Sequence, residues 1–235
     1  MQLLISVTSV AEARAALRGC AHIIDVKNPG EGALGAAAIA VLRDVCAAMP
    51  PHAPVSAALG DSETPTGALA LAAYGAAHLG ASYVKVGLLT DDAAEAVALL
   101  QEVQRSARWA NPECNVVAVG YADAERVGAL SWRALPAIAA EAQLWGCMID
   151  TAVKDGRGLF SYCDEPELSR WIATCEERGL HSALAGSLTA SDTAALRRLQ
   201  PTVAGFRGAA CRGDRVNGQV DEALVSDLYA GLFRP

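Results

Sequence analysis

Eight short apolar runs, each followed by a stretch with helical periodicity, recur along the 235 residues, and this alternation restricts the fold more than any other feature. The runs fall at 3–7 (LLISV), 22–27 (HIIDVK), 54–59 (PVSAAL), 82–86 (SYVKV), 115–120 (NVVAVG), 145–150 (WGCMID), 181–185 (HSALA) and 203–207 (VAGFR). Helices are predicted between and after them, near 9–19, 33–48, 66–79, 91–107, 132–143, 165–178, 189–199 and 221–232. Continuously apolar strands suit a parallel sheet covered on both faces. Two architectures are built that way, an open doubly wound sheet and a closed (β/α)₈ barrel. Eight units, with no GxGxxG after the first run, favour the α/β (β/α)₈ TIM barrel. No linker, low-complexity tract or charge run divides the chain, so one domain spanning 1–235 is expected.

Local signals agree with these boundaries. "SVAE" (9–12) reads as a capping box, with Ser9 as cap and Glu12 reaching back. "TDDAAEA" (90–96) places acids in a first helical turn, where the macrodipole favours them. Gly80 and Gly179 each stand between a helical pattern and the next strand, as C-terminal glycines do.

Composition narrows the function classes. A net charge of −7 argues against a nucleic-acid binder, which needs a broad basic face. The same charge leaves small phosphorylated ligands open, because they need only a few local donors. Seven scattered cysteines form no CxxC and no zinc-like Cys/His spacing, so no metal is expected and reduced thiols in a cytoplasm are the simplest reading. "MQLLISVTSV" lacks the basic n-region of a signal peptide. No charge-free apolar run of about 18 residues suggests a membrane span.

The chemistry is concentrated in the lysines. The chain has only three, Lys27, Lys85 and Lys154, and each falls at a strand end or in the loop that follows. Side chains alternate across a strand, so Asp25 and Lys27 share the interior face of strand two, Tyr83 and Lys85 that of strand four, and Met148 and Asp150 that of strand six. Barrel enzymes build their sites at these C-terminal strand ends. A lysine there is costly to bury charged. Desolvation and neighbouring cations lower its pKa, and the neutral amine can then attack a carbonyl carbon to form a Schiff base. Asp25 and Asp150 would hold the lysines and relay protons. The plainer alternative for any one such lysine is a structural ion pair or a phosphate anchor. Surface helices normally use lysine freely, and its confinement to strand ends favours catalysis.

The last two units read as a phosphate site. "LAGSL" (184–188) supplies a turn with Gly186 and Ser187, and "FRGAACRGDR" (206–215) supplies Arg207, Gly208 and Ala209 with free backbone N–H groups. Arg212 and Arg215 add charge nearby. Weaker candidates are Asp61 in the third loop and Tyr121 and Asp123 in the fifth, as polar wall. His22 and His181 begin strands at the opposite end and are expected to be structural. Cys211 has no base to activate it.

Six stretches together resemble the (5-formylfuran-3-yl)methyl phosphate synthase family, also called 4-(hydroxymethyl)-2-furancarboxaldehyde-phosphate synthase. They are "IIDVKNPGEGALGA" (23–36), "YVKVGL" (83–88), "GYADAERVGA" (120–129), "DTAVKDGRGLF" (150–160), "ALAGSL" (183–188) and "GFRGAACRGDR" (205–215), in the family's order along nearly the whole chain. The resemblance implies a TIM barrel that condenses two glyceraldehyde 3-phosphate molecules, with loss of one phosphate and two waters, toward a methanofuran-type one-carbon carrier. It places the Schiff-base lysine on Lys27 and the proton-accepting lysine on Lys85, kept neutral by its cationic neighbours. Asp25, Asp150 and Lys154 would serve later proton transfers. No metal or organic cofactor is implied, and the partner is a small phosphorylated triose. A homo-oligomer stays open. One departure lies in the third loop: the family carries a Lys-Pro-Gly segment where this chain reads "TPTG" (64–67). Another lysine-dependent aldolase acting on sugar phosphates, or a non-catalytic phosphate-binding barrel, would share much of the same inventory.

Overall fold

The computed structural model describes residues 1–234. Eight parallel strands close into a barrel in sequence order: β1 (Gln2–Val7), β2 (Ile23–Val26), β3 (Val55–Asp61), β4 (Tyr83–Gly87), β5 (Asn115–Tyr121), β6 (Gly146–Asp150), β7 (His181–Leu184) and β8 (Val203–Phe206). β8 pairs back onto β1, so no edge is exposed. The helices α1 (Val10–Arg18), α2 (Ile39–Ala48), α3 (Thr66–His78), α4 (Ala93–Ala110), α5 (Leu135–Glu141), α6 (Glu165–Glu177), α7 (Thr193–Leu199) and α8 (Glu222–Phe233) follow the strands in turn. The (β/α)₈ architecture read from the alternation is thus the one adopted. Among the described residues no helix is long and apolar enough to cross a membrane.

Strand alternation sorts the core into two clusters. Outward positions such as Ile5, Ile24, Val84 and Ile149 pack under the helices. Inward positions such as Leu4, Ile23, Val117, Met148 and Val203 fill the barrel. The floor is closed by aromatic contacts: Tyr83 meets Trp145 edge-on at 4.9 Å, and Trp145 stacks on His181 at 4.2 Å. His22 caps β1, its Nδ1 accepting from the Leu3 N–H. Both histidines therefore serve structure.

The helix predicted from 33 is corrected: α2 starts only at Ile39. Residues 33–35 instead turn into the barrel mouth, where Ala33 and Leu34 are buried among the interior side chains. Gly35 is required by that path, since a Cβ there would lie 2.3 Å from the Asn28 carbonyl oxygen. The capping box is corrected too. Ser9 accepts from the Glu12 N–H, but the Glu12 carboxylate bonds to Thr8 rather than to the cap, because buried Arg207 draws it inward. Helical residues expected before α5 and α7 form 3₁₀ turns, at Trp132–Ala134 and Ala190–Asp192. The loop after β8 carries a two-stranded hairpin, β9 (Cys211–Arg212) and β10 (Gln219–Val220), too short for any periodicity to announce.

Candidate active site

The C-terminal mouth holds a cavity of about 420 Å³. Lys27, Lys85, Asp150 and Lys154 line it together with Gly186, Ser187, Gly208 and Ala209. The three lysines thus reach one enclosure, and Lys27 and Lys85 are only 7 % and 4 % exposed. Asp25 lies beneath, fully buried, with Oδ1 at 2.8 Å from Lys85 Nζ and Oδ2 accepting from Ser6 Oγ at 2.8 Å. The strand registers explain this cluster: Ser6 lies beside Asp25, and Asp25 beside Ser56, across β1, β2 and β3.

The lysines differ in their partners. Lys85 pairs with Asp25, and Lys154 with Asp150 at 2.7 Å. Lys27 makes no salt bridge among the described residues; its Nζ donates to the Ala33 carbonyl at 3.2 Å. Burial is the main cause that lowers its pKa to about 8, with Lys85 and Lys154 adding repulsion and Asp150 and Asp25 opposing. Burial pushes the Asp150 carboxyl up, but Lys154, Lys27 and the Thr151 N–H outweigh it and bring it down to about 2. Asp25 is likewise raised by burial and then carried below its ordinary value by Lys85, Lys27 and Ser6. Cationic neighbours were expected to keep Lys85 neutral; its immediate partner is instead a carboxylate.

The two phosphate-loop turns line the same cavity as Lys27. Gly186 and Ser187 both adopt left-handed backbone, with φ of 101° and 49°. No acceptor within the described residues takes the N–H groups of Ser187, Gly208 or Ala209. Arg207 needs correction as a phosphate donor. Its guanidinium is committed to Glu12, at 2.5 and 3.2 Å, and to the carbonyls of Ser6, Arg215 and Gly218. Arg212 pairs with Asp221 at the surface. Arg215 does line the cavity.

The weaker candidates also resolve. The Tyr121 hydroxyl donates to Asp61, and burial together with Glu63 and Asp150 raises the Asp61 carboxyl despite that bond. Neither residue lines the cavity. Asp123 accepts from the N–H groups of Ala152 and Val153, and so shapes the loop that carries Lys154. Burial raises the Cys211 thiol, whose Sγ sits 3.2 Å from the Arg207 carbonyl. Residues 64–67 lead into α3 and supply no cation. Sequence reasoning missed Ser6, Glu12 and the plug of Ala33 and Leu34. Only the position of Ser6, two residues after an interior leucine, pointed to it.

Comparisons with known proteins identify the family. The family model for 4-HFC-P synthase covers residues 3–229. The chain belongs to the 4-HFC-P synthase family. It is 43% identical to (5-formylfuran-3-yl)methyl phosphate synthase of Methanopyrus kandleri, over 98% of both chains. It is 44% identical to the synthase of that name from Methanococcus aeolicus, over 97% of this chain and 98% of that one. Solved structures show the fold of this 4-HFC-P synthase family member in distant proteins. KGPDC from Streptococcus mutans matches with a TM-score of 0.69 at 11% identity, over 99% and 97% of the chains. A 3-hexulose-6-phosphate synthase matches at 0.62 and 18%, over 99% and 100%.

Proposed function

We propose that this enzyme condenses two glyceraldehyde 3-phosphate molecules into (5-formylfuran-3-yl)methyl phosphate, releasing one phosphate and two waters, through a Schiff base on Lys27. The observation that carries the reading is the contrast among three lysines around one cavity: Lys85 and Lys154 are ion-paired, and Lys27, buried and lowered to about 8, is not. An appreciable fraction of Lys27 is then a free amine near neutral pH. Its Nζ attacks the aldehyde carbon of the first triose, and the carbinolamine loses water. The Ala33 carbonyl accepts from Lys27 Nζ and orients it throughout.

The iminium acidifies the neighbouring C–H. Lys85 Nζ, which reaches the cavity, takes up that proton as a free amine, and Asp25 at 2.8 Å stabilises the ammonium that forms. The resulting enamine carbon attacks the second aldehyde. Asp150 and Lys154, joined at 2.7 Å, donate and take up protons in the dehydrations and the phosphate elimination that aromatise the ring. The unpaired N–H groups of Ser187, Gly208 and Ala209 hold one phosphate. We place the enzyme in the cytoplasm, supplying a methanofuran-type one-carbon carrier.

Incubation with glyceraldehyde 3-phosphate tests this. A new near-ultraviolet absorbance, released phosphate and a borohydride-fixed adduct mapped by mass spectrometry to Lys27 are expected. An adduct without furan would indicate an aldolase that stops before aromatisation. No adduct at all would leave a phosphate-binding barrel.

A further inference from the structure

Condensation of two triose phosphates brings two phosphate groups into one cavity, and the backbone cradle between the seventh and eighth loops serves only one. A phosphate monoester carries roughly −1.5 to −2 at neutral pH, so a second one beside the first is repelled unless it meets its own counter-charge. Five cationic side chains line the cavity. Lys85, Lys154 and Arg207 are neutralised by Asp25, Asp150 and Glu12. Lys27 is the nucleophile. Arg215 remains, half-buried and without a salt bridge among the described residues.

The chain fixes Arg215 in place without using up its donors. Its Nη1 donates to the Pro29 carbonyl at 3.1 Å, and its Nη2 to the Gly32 carbonyl at 3.2 Å. A guanidinium has five N–H donors, so its remaining N–H groups are unspent. The turn that carries it is rigid. Asp214 accepts from the N–H groups of Val216 and Asn217, and Arg207, seated on Glu12, holds the carbonyls of Arg215 and Gly218. Pro29 and Gly32 belong to the loop whose Ala33 carbonyl caps Lys27. Arg215 therefore springs from beside Gly208 of the backbone cradle, and its guanidinium reaches over to the roof of the nucleophile.

Resting on the reading of a two-triose condensation, we propose that Arg215 binds the phosphate of the second triose and so determines which aldehyde is accepted once Lys27 is loaded. The buried Glu12–Arg207 pair is the pedestal that presents it. The first phosphate settles on the backbone N–H groups deeper in the cavity. The second is received at the mouth by the unspent donors of Arg215.

A chase experiment tests this. Enzyme carrying the Lys27 adduct of unlabelled glyceraldehyde 3-phosphate is mixed with labelled glyceraldehyde 3-phosphate or with labelled, unphosphorylated glyceraldehyde, and coupled product is quantified. The wild type should couple the phosphorylated aldehyde at least about tenfold faster, the size of a charge-assisted hydrogen-bonded contact. In Arg215→Ala that preference should collapse toward unity, because only the phosphorylated aldehyde slows. Arg215→Lys, which keeps the charge and loses the fork, should fall between. Equal slowing of both aldehydes, or loss of adduct formation in step with coupling, would make Arg215 a structural support of the Lys27 loop and overturn the proposal. Retention of the wild-type preference in Arg215→Ala would overturn it directly. A wild type that forms neither adduct nor coupled product defeats the condensation itself, and the proposal with it; a wild type that couples while the variants behave identically to it defeats only the role of Arg215.

Discussion

At the floor of the barrel the interior positions of β1, β2, β4 and β6 hold Leu4, Ile23, Tyr83 and Met148. Two residues further along the same strands, on the same face, they hold Ser6, Asp25, Lys85 and Asp150, all buried. One step of the pleat therefore separates a layer that stabilises the fold from a layer that desolvates charges. The lower layer gains from burial of apolar area. The upper layer is held together by ion pairs, Asp25 with Lys85 and Asp150 with Lys154, and by a few hydrogen bonds, and one lysine is left out of the pairing. The proposed chemistry falls where the barrel is least favourable to itself, and the apolar floor offsets the difference.

The largest effect that can break this contrast is removal of the unpaired amine. Lys27→Met keeps the side chain's length and apolar stem but has no nucleophile. Turnover should fall by at least about 1000-fold, as for loss of a covalent catalyst. Thermal unfolding should occur at a temperature no lower than the wild type's, since a buried charge has gone. A melting point several degrees lower would show that the mouth contributes to stability as the floor does.

The floor predicts the reverse. Leu4 is 5 % exposed and packs inside the barrel. Leu4→Ala should lower unfolding free energy by about 2–5 kcal/mol, measured in denaturant. Turnover per folded molecule should stay within about twofold, because the cavity-lining groups are untouched. A large loss of turnover at full folding would mean that the two layers are mechanically coupled.

Much of this contrast was legible in the sequence. The period-two placement of Asp25 with Lys27, and of Lys85 two residues after Tyr83, marks interior positions without any structure. The confinement of three lysines to strand ends marks one mouth. What the sequence withheld was partnership. Nothing in "FRGAACRGDR" distinguishes Arg207, paired with Glu12 from 195 residues away, from Arg215, which carries no such pair. Long-range ion pairs leave no periodicity. The 33–38 segment misled for a related reason: its alanines and Leu34 suit a helix locally, but burial in the barrel mouth and the close approach at Gly35 override propensity.

Stability should also carry the signature of Lys27. Its pKa is lowered from 10.5 to about 8 on folding, so between those values the unfolded chain holds more protons, and stability rises with pH across that window. Well below pH 8 both states hold the proton and the slope vanishes. Subtracting the Lys27→Met profile from the wild-type profile isolates this rise. A flat difference between pH 8 and 10.5 would show that the amine is not perturbed by the fold.

The smallest effect addresses the charges around that amine. The rate of borohydride trapping with glyceraldehyde 3-phosphate should climb with pH and level off near 8, because only the neutral amine attacks the aldehyde. Asp150 opposes the lowering of the Lys27 pKa, and it also neutralises Lys154. In Asp150→Asn both changes act in the same direction: a stabilising negative charge is lost, and the Lys154 ammonium is left uncompensated beside Lys27. The levelling point of the trapping rate should therefore move below 8, even where overall turnover falls because the later proton transfers have lost a carboxylate base. Trapping separates the two consequences, since it reports the first step alone. A levelling point that stays at 8 or moves above it would place Asp150 outside the electrostatic reach of Lys27 and leave burial alone to account for the amine.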